Sequence, residues 1–269
     1  MTPSPEPTDP GGDHSTESPK DRFVTVYGRK PVLEALADPA LEVDKVVLAE
    51  GVDPRAARAF LDAASARGVP VRRASAQRVK VLAGNGRQDQ GVLADVVAPA
   101  MRTVERFLAE LGERPAAVLV LDGVTTPANV GMIIRSATAA GLEGVLLPRR
   151  GVPGIDPLVV KASAGVAFHA PVLRAGTAAA GLAALADAGF LLLGLDGAPA
   201  TASLFEADLP DRVALVVGAE TEGLSDDVRA ELHGTVAIPM PGPVESLNAA
   251  CAATVASFEL ARRRRPRCQ

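Results

Sequence analysis

The sequence has few aromatic residues and few cysteines. Tryptophan is absent, there is one tyrosine, and aromatic residues make up 3% of the 269 positions. The core must therefore be aliphatic, built mainly from Val, Leu and Ala. Cys251 and Cys268 are the only two cysteines, so a disulfide framework is not expected, and the cytoplasm is the expected compartment.

Long apolar runs are also missing. The longest uncharged apolar stretches, 162–173 and 175–186, are about a dozen residues each, whereas a helix that spans a bilayer needs roughly 20. We therefore expect no membrane contact. The N-terminus lacks the apolar core of a signal peptide. His14, His169 and His233 lie far apart without the spacing of metal ligands, so no metal site is expected.

The formal net charge of −4 argues at first against a nucleic-acid partner, but the charge is unevenly distributed. Residues 22–97 carry twelve basic and nine acidic side chains, and the last eight residues include five arginines, whereas residues 115–261 carry seven basic and fifteen acidic ones. A polyanion would be attracted to the basic regions. Imbalances of this size are also typical of ordinary solvated surfaces.

Composition divides the chain into a tail, two α/β domains and a basic end. Residues 1–21, rich in Pro, Ser, Asp and Glu, cannot bury enough apolar surface to offset the entropy of ordering, and we expect them to be a disordered acidic tail. Short helices and strands alternate over 22–97, which predicts a small α/β domain. A linker over 98–114 leads to a second domain over 115–265, whose first strand, AAVLVLD, is apolar throughout, as in a parallel sheet covered on both faces. Residues 266–269 form a short basic tail.

A strand–turn–helix pattern spans Leu121 to Gly141. Asn129 is a good residue to cap the helix, and Gly131 allows a close backbone approach in its first turn. The apolar spacing places Arg135 away from the buried face, toward the mouth of a site, where a guanidinium can bind phosphate through two parallel hydrogen bonds. An ordinary α/β unit with a surface arginine explains the pattern equally well.

Two further patterns follow later strands. In GAETEGLS, Gly218 and Gly223 bracket two carboxylates, so that Glu220 can fix a polar group while Ser225 caps the next helix; a tight surface turn is the alternative. In IPMPGPVESLNAA, Ser246 and Asn248 stand at the start of a long helix running from Ser246 to about Arg263, where free N–H groups can bind a ligand. Simple capping explains Ser246 well and Asn248 poorly.

Several motifs of other enzyme classes are missing. GNGRQDQG, over Gly84–Gly91, lacks the spacing of a dinucleotide-binding fingerprint, and no phosphate-binding loop is present. KASAG, over Lys161–Gly165, lacks the first glycine of a nucleophile elbow. These absences weigh against a dehydrogenase that binds a nucleotide cofactor on a doubly wound sheet.

Taken together, the three patterns resemble the signature motifs of the SpoU/TrmH-type RNA 2′-O-ribose methyltransferases of the SPOUT superfamily. The resemblance covers Pro115–Arg265 and includes VVKASAG at Val159–Gly165. VYGRKPVLEAL and DQGVLADV are similar to the two ends of the family's substrate-binding domain, an α/β module like a ribosomal protein that grips RNA. The family has His before this QG pair where Asp89 stands, so an RNA contact by that His is not expected here.

The resemblance implies a parallel sheet with a deep trefoil knot, S-adenosylmethionine bound in a bent conformation, and a homodimer whose active site is completed across the interface. It implies a methyl transfer to a ribose 2′-hydroxyl, with 23S ribosomal RNA favoured as substrate; transfer RNA, or an inactive RNA-binding relative, are the alternatives. The positions that match the family's catalytic residues are Asn129, Arg135, Glu220, Ser246 and Asn248. Those that match its contacts to the methyl donor are Gly197, Gly218, Ile238 and Leu247.

The chemistry of the donor assigns a role to Arg135. The sulfonium makes its methyl carbon electrophilic, so the protein must align a ribose hydroxyl and ease the loss of its proton. A guanidinium with a pKa above about 12 is a poor base, so binding the adjacent phosphate and stabilising the developing alkoxide suit Arg135 better. We expect the first domain to supply RNA affinity through Arg29, Lys30, Arg72, Arg73, Arg78 and Arg87.

Overall fold

A computed structural model describes residues 21–84, 89–197 and 202–264. Predictions for the acidic tail up to position 20, for Arg87 and for the basic end after position 264 lie outside the described residues. Within the described ranges, no helix is long and apolar enough to cross a membrane.

The first domain is a four-stranded sheet with helices on both faces. Its elements are β1 (Phe23–Tyr27), α1 (Arg29–Ala37), β2 (Val43–Ala49), α2 (Pro54–Ala66), β3 (Val71–Ala74), α3 (Ala76–Ala83) and β4 (Val92–Val97). The strand order is β1-β4-β2-β3, with β3 parallel to β2 and the other pairs antiparallel. Phe60 of α2 and the buried face of α1 pack on one side of the sheet, and Val79 of α3 packs on the other. Short helices and strands alternate over this stretch, as the sequence predicts.

The start of α2 follows from its sequence. Asp53 accepts hydrogen bonds from the backbone N–H groups of Arg55 and Ala56, and Pro54 occupies the first turn, where its missing N–H costs nothing. Gly68, with a φ of 66°, follows the helix, where glycine is favoured because the backbone turns left-handed.

The second domain is an eight-stranded sheet in which every adjacent pair of strands is parallel. Its elements are β5 (Arg102–Thr103), α4 (Val104–Leu111), β6 (Ala116–Leu121), α5 (Pro127–Ala139), β7 (Gly144–Pro148), α6 (Pro157–Ala162), β8 (Val172–Ala175), α7 (Ala178–Asp187), β9 (Leu191–Leu195), β10 (Ala202–Ser203), β11 (Arg212–Val217), α8 (Asp226–Glu231), β12 (Gly234–Ala237) and α9 (Ala249–Arg264). The strand order is β10-β12-β9-β11-β6-β7-β8-β5. The stretch predicted as a linker supplies the edge strand β5 and the helix α4.

The central strand β6 is buried along its whole length, which explains its continuous apolar sequence. Alternate side chains enter different cores: Leu119 faces the side covered by α5, α6 and α9, whereas Val118 faces the side covered by α4, α7 and α8. The aliphatic core on the α5 side continues without a break into the α1 and α2 side of the first domain, for example to Phe60. The two domains are therefore packed together through shared core.

The order of the strands creates a crevice. From β6 the chain proceeds outward through β7 and β8, and it then returns to place β9, β11 and β12 on the opposite side of β6. The loops after β6 and β11 therefore diverge at the carboxyl ends of two neighbouring strands. In open parallel sheets this switch point is where ligands bind.

Candidate active site

A cavity lies next to this switch point. It is formed by the residues that follow β9, β11 and β12 and by the start of α9. The four positions expected to contact the methyl donor line it together, along with two of the expected catalytic residues: Gly197, Gly218, Ile238, Leu247, Glu220 and Ser246.

One carboxylate oxygen joins all three sequence motifs. Oε1 of Glu220 accepts a hydrogen bond from Nδ2 of Asn129 over 2.8 Å and another from Nδ2 of Asn248. The backbone N–H of Ala249 lies 3.3 Å from the same oxygen. Asn129 is 5% exposed, so its amide is fixed by this contact rather than by water.

Asn248 also starts the long helix. Its Oδ1 accepts from the backbone N–H groups of Ala250 at 2.9 Å and Cys251 at 3.3 Å, which makes it the cap of α9. The helix begins at Ala249, so the expectation that capping explains Ser246 better than Asn248 is wrong. The physical reason is that residues 241–248, directly before α9, are not helical, which leaves Ser246 on the wall of the cavity.

The expectation that Asn129 caps α5 is also wrong. Pro127 sits in the first turn and places Thr126 at the cap position, so Asn129 falls inside the helix. Its side chain is thereby available to Glu220. Ser225 does occupy the cap position of α8, but its side chain makes no capping bond.

Two glycines are required by close packing within the protein. A Cβ at Gly131 would lie 2.6 Å from the carbonyl oxygen of Val159, because α5 packs tightly on α6. A Cβ at Gly218 would lie 2.4 Å from the carbonyl carbon of Gly223, because the loop after β11 folds back on itself. Ala219 and Gly223 close that loop with two backbone hydrogen bonds of 2.9 Å each.

A second cavity, with a volume of about 240 Å³, adjoins the first. Asn129 and the loop after β6 line it, and it shares Glu220 and Ala249 with the first cavity. The cluster of Glu220 with its two asparagines therefore borders both spaces.

Arg135 lies outside both cavities. It is exposed on α5 and makes no hydrogen bond or ion pair with any residue in the described ranges. Six residues separate it from Asn129, which places the two side chains about 120° apart around the helix. A single chain therefore brings Asn129, Glu220, Ser246 and Asn248 together, but not Arg135.

The sequence reading missed three charged residues here. Asp196 accepts from Nη1 of Arg229 over 2.9 Å, and both line the first cavity. The buried carboxylate of Asp122 accepts from the backbone N–H of Ser225 over 2.7 Å and ties the end of β6 to the start of α8. The position of Asp122 directly after a buried strand was the one available signal for it.

The expected RNA contacts lie on different faces of the first domain. Arg29 and Lys30 open α1, whereas Arg78 lies on α3, which covers the opposite face of the sheet. Arg72 and Arg73 lie on the edge strand β3. All five are exposed.

Comparisons with known proteins cover both domains. The family model described as "SpoU rRNA Methylase family" matches residues 116–258, and the one described as "RNA 2'-O ribose methyltransferase substrate binding" matches residues 25–101. A protein of Xanthomonas campestris named 23S rRNA (guanosine-2'-O-)-methyltransferase RlmB is 36% identical over 241 residues, which are 89% of this chain and 96% of that one. A Mycobacterium marinum protein named as an uncharacterized tRNA/rRNA methyltransferase is 36% identical over 91% of this chain and 79% of its own length.

Solved structures agree with these matches. The SpoU methyltransferase AviRb from Streptomyces viridochromogenes, in complex with the cofactor AdoMet, superimposes with a TM-score of 0.60 at 27% identity and covers 90% of each chain. A putative RNA methyltransferase of the TrmH family from Porphyromonas gingivalis gives a TM-score of 0.60 at 28% identity over 91% of each chain. With both domains matched, in order, and the three motifs joined at one carboxylate, this chain belongs to the SpoU family of S-adenosylmethionine-dependent RNA 2′-O-ribose methyltransferases.

Proposed function

We propose that the protein methylates a ribose 2′-hydroxyl of 23S ribosomal RNA in the cytoplasm. The observation that carries the proposal is the cluster of Glu220 with Asn129 and Asn248, which borders both cavities. The name of the Xanthomonas relative favours 23S RNA, whereas the name of the mycobacterial one covers transfer RNA as well. An inactive RNA-binding relative would not need this cluster.

The first cavity fits the methyl donor in charge. S-adenosylmethionine carries a sulfonium, an ammonium and one carboxylate. The cavity is lined by three carboxylates, those of Asp196, Glu220 and Glu245, and by one cation, Arg229. A cleft with excess negative charge attracts a ligand of net positive charge. Arg229, held by Asp196, is then the partner for the carboxylate of the donor.

The residues around the second cavity position the acceptor. Bound S-adenosylmethionine supplies an electrophilic methyl group with a neutral leaving group. Asn129 and Asn248 fix the orientation of Glu220, so the wall between the two cavities is rigid when the ribose enters. Arg135 holds the neighbouring phosphate and stabilises the negative charge that develops on the 2′-oxygen. Ser246 closes the pocket.

We propose that Arg135 reaches a site through a homodimer. On the exposed side of α5 it shares a surface with Met132, which is 42% exposed, and the adjoining α9 exposes Phe258 at 49%. A dimer interface on these two packed helices would cover both apolar side chains. A two-fold copy on this surface would bring Arg135 of one protomer toward the second cavity of its partner. The trefoil knot implied by the resemblance belongs to the same proposal. It is supported by the meeting of Gly197, after β9, and Ile238, after β12, in the wall of one cavity.

RNA affinity is proposed to come from the first domain, including Arg87. The test replaces Arg72, Arg73 and Arg78 by Gln and measures RNA affinity against salt concentration. The slope should fall by roughly 0.7 to 0.9 for each phosphate contact removed. The matched control replaces Arg55 and Arg58 of α2. An unchanged slope would reject these contacts. Because the two domains share a core, these substitutions are cleaner than deletion of residues 1–97.

The substrate is tested by mapping 2′-O-methylated nucleotides in cellular RNA with and without the gene. We expect one position in 23S RNA to lose its methyl group, and purified protein to restore it in unmodified RNA. A lost methyl group in transfer RNA instead would show that the substrate assignment is wrong. No change in any RNA, together with S-adenosylmethionine binding measured by calorimetry, would contradict the proposed activity.

A further inference from the structure

Arg174 of β8 is a largely buried arginine at the junction of the two domains. Its Nη1 atom is buried and has no hydrogen-bond partner, and none of its nitrogens bonds to any residue in the described parts of the chain. It follows Leu173 in the strand and therefore points to the face that meets the first domain. A buried donor without a partner is unfavourable, and more so when the group is charged.

The guanidinium borders a cavity with a volume of about 350 Å³. Thr25, Tyr27 and Gly84 line it from the first domain, and Ile155 and Asp156 line it from the second. This volume far exceeds the roughly 30 Å³ that one water molecule occupies. The space is large enough for a polyatomic ligand.

Asp21 attracts the charge of Arg174, but this carboxylate is shared with a second arginine. Asp21 is paired with Arg149, a second cation near the cavity. Burial, and then the like charge of Arg149, lower the pKa of Arg174 to about 10, so it stays charged at neutral pH. Asp156 forms no ion pair within the described residues; its Oδ1 accepts from the backbone of Leu158 and Val159 at the start of α6.

We propose that this cavity binds a phosphate group through the planar fork of Arg174. A guanidinium offers two parallel N–H donors that match two phosphate oxygens, and a bound phosphate would satisfy the buried donor of Arg174 that lacks a partner. The phosphate comes either from the RNA backbone or from free inorganic phosphate. This site lies apart from the switch-point cavities, and its binding of free phosphate does not depend on the methyl-transfer proposal.

The first experiment uses the full chain and inorganic phosphate. The melting temperature of the wild-type protein should rise with phosphate concentration beyond its rise in chloride of equal ionic strength, because a ligand that binds only the folded state stabilises it. Arg174→Met should remove the extra rise, and Arg174→Lys should reduce it. Arg150→Met, at an exposed arginine beside Arg149, should keep it in full. The proposal is overturned if wild type shows no extra rise, or if Arg174→Met keeps it.

A second experiment identifies the source of the phosphate. If an RNA phosphate occupies the site, Arg174→Met lowers the slope of log affinity against log salt by about 0.7 to 0.9, and inorganic phosphate competes with RNA. If free phosphate is the ligand, Arg174→Met leaves RNA binding unchanged although it abolishes the thermal shift. Each outcome supports the site and names its ligand.

Discussion

The side-chain amide of Asn129 donates a hydrogen bond to Oε1 of Glu220 over 2.8 Å, although 91 residues separate them in the chain. The contact exists because β6 and β11 are neighbours in the sheet and end at the same edge. Asn248 reaches the same oxygen from the start of α9. The site is therefore complete only after most of the second domain has folded.

Replacing Glu220 by Gln should destabilise the protein and abolish most methyl transfer. The variant keeps an oxygen that can accept from Asn129 and Asn248 but loses the negative charge that strengthens these hydrogen bonds, at a cost of about 1 kcal/mol. Urea unfolding and transfer of labelled methyl groups to RNA measure the two effects. Glu206→Gln, at an exposed glutamate outside both cavities, serves as the control. Equal behaviour of the two variants would contradict the role of Glu220.

Replacing Gly218 by Ala should remove cofactor binding. The new methyl group would meet the backbone of Gly223 at 2.4 Å, and backbone cannot move aside as a side chain can. The loop after β11 must shift, at a cost of about 1–3 kcal/mol. Gly176→Ala, where no atom lies within 4 Å, is the matched control. Calorimetric titration measures the affinity of both variants for S-adenosylmethionine. Normal affinity in the Gly218 variant would refute the prediction.

Replacing Arg229 by Gln should weaken S-adenosylmethionine binding about tenfold to a hundredfold, because a hydrogen bond to a charged group contributes about 1.5–3 kcal/mol. The affinity for 5′-methylthioadenosine, which lacks the amino-acid end, should stay unchanged. Equal losses for both ligands would mean that Arg229 only supports the shape of the cavity.

Arg135→Lys should lose most activity while it still binds the methyl donor, because a compact ammonium does not replace a planar fork.

The proposed homodimer leads to a second prediction about Arg135. Mixing the inactive Arg135→Lys and Glu220→Gln variants under conditions of subunit exchange should restore part of the activity, because some mixed dimers contain one intact site. A mixture that stays inactive, although exchange is demonstrated, would show that Arg135 does not act across an interface.

The unfolding free energy should depend on pH through the carboxyl group of Glu259. Hydrogen bonds from Arg262 and Arg263 hold the pKa of this buried carboxyl below its ordinary value. The ionised group therefore stabilises the fold above the pKa of the unfolded chain, and this contribution is lost as the pH falls through the lower pKa of the folded protein. The difference in unfolding free energy between wild type and Glu259→Gln should be largest near neutrality and vanish in acid. The exposed Glu206→Gln should show no such trend.

Sequence patterns located the site but not its internal bonds. Polar residues directly after apolar strands indicated Asn129, Glu220 and Asn248, because parallel strands end at one edge. The roles within the cluster depended on where each helix begins, which shifts by two or three residues when a proline or an extended segment intervenes. The pair of Asp196 and Arg229 joins β9 to α8, and no local pattern reports a contact of that range.

The unbroken apolar core that the two domains share has a consequence for target choice. Because the first domain is packed firmly on the second, it cannot change its orientation to fit RNAs of different shape. The distance between the RNA segment bound by the first domain and the ribose that is methylated is then fixed. We expect such an enzyme to select its nucleotide by distance within a folded RNA, and to tolerate changes in the bases next to it.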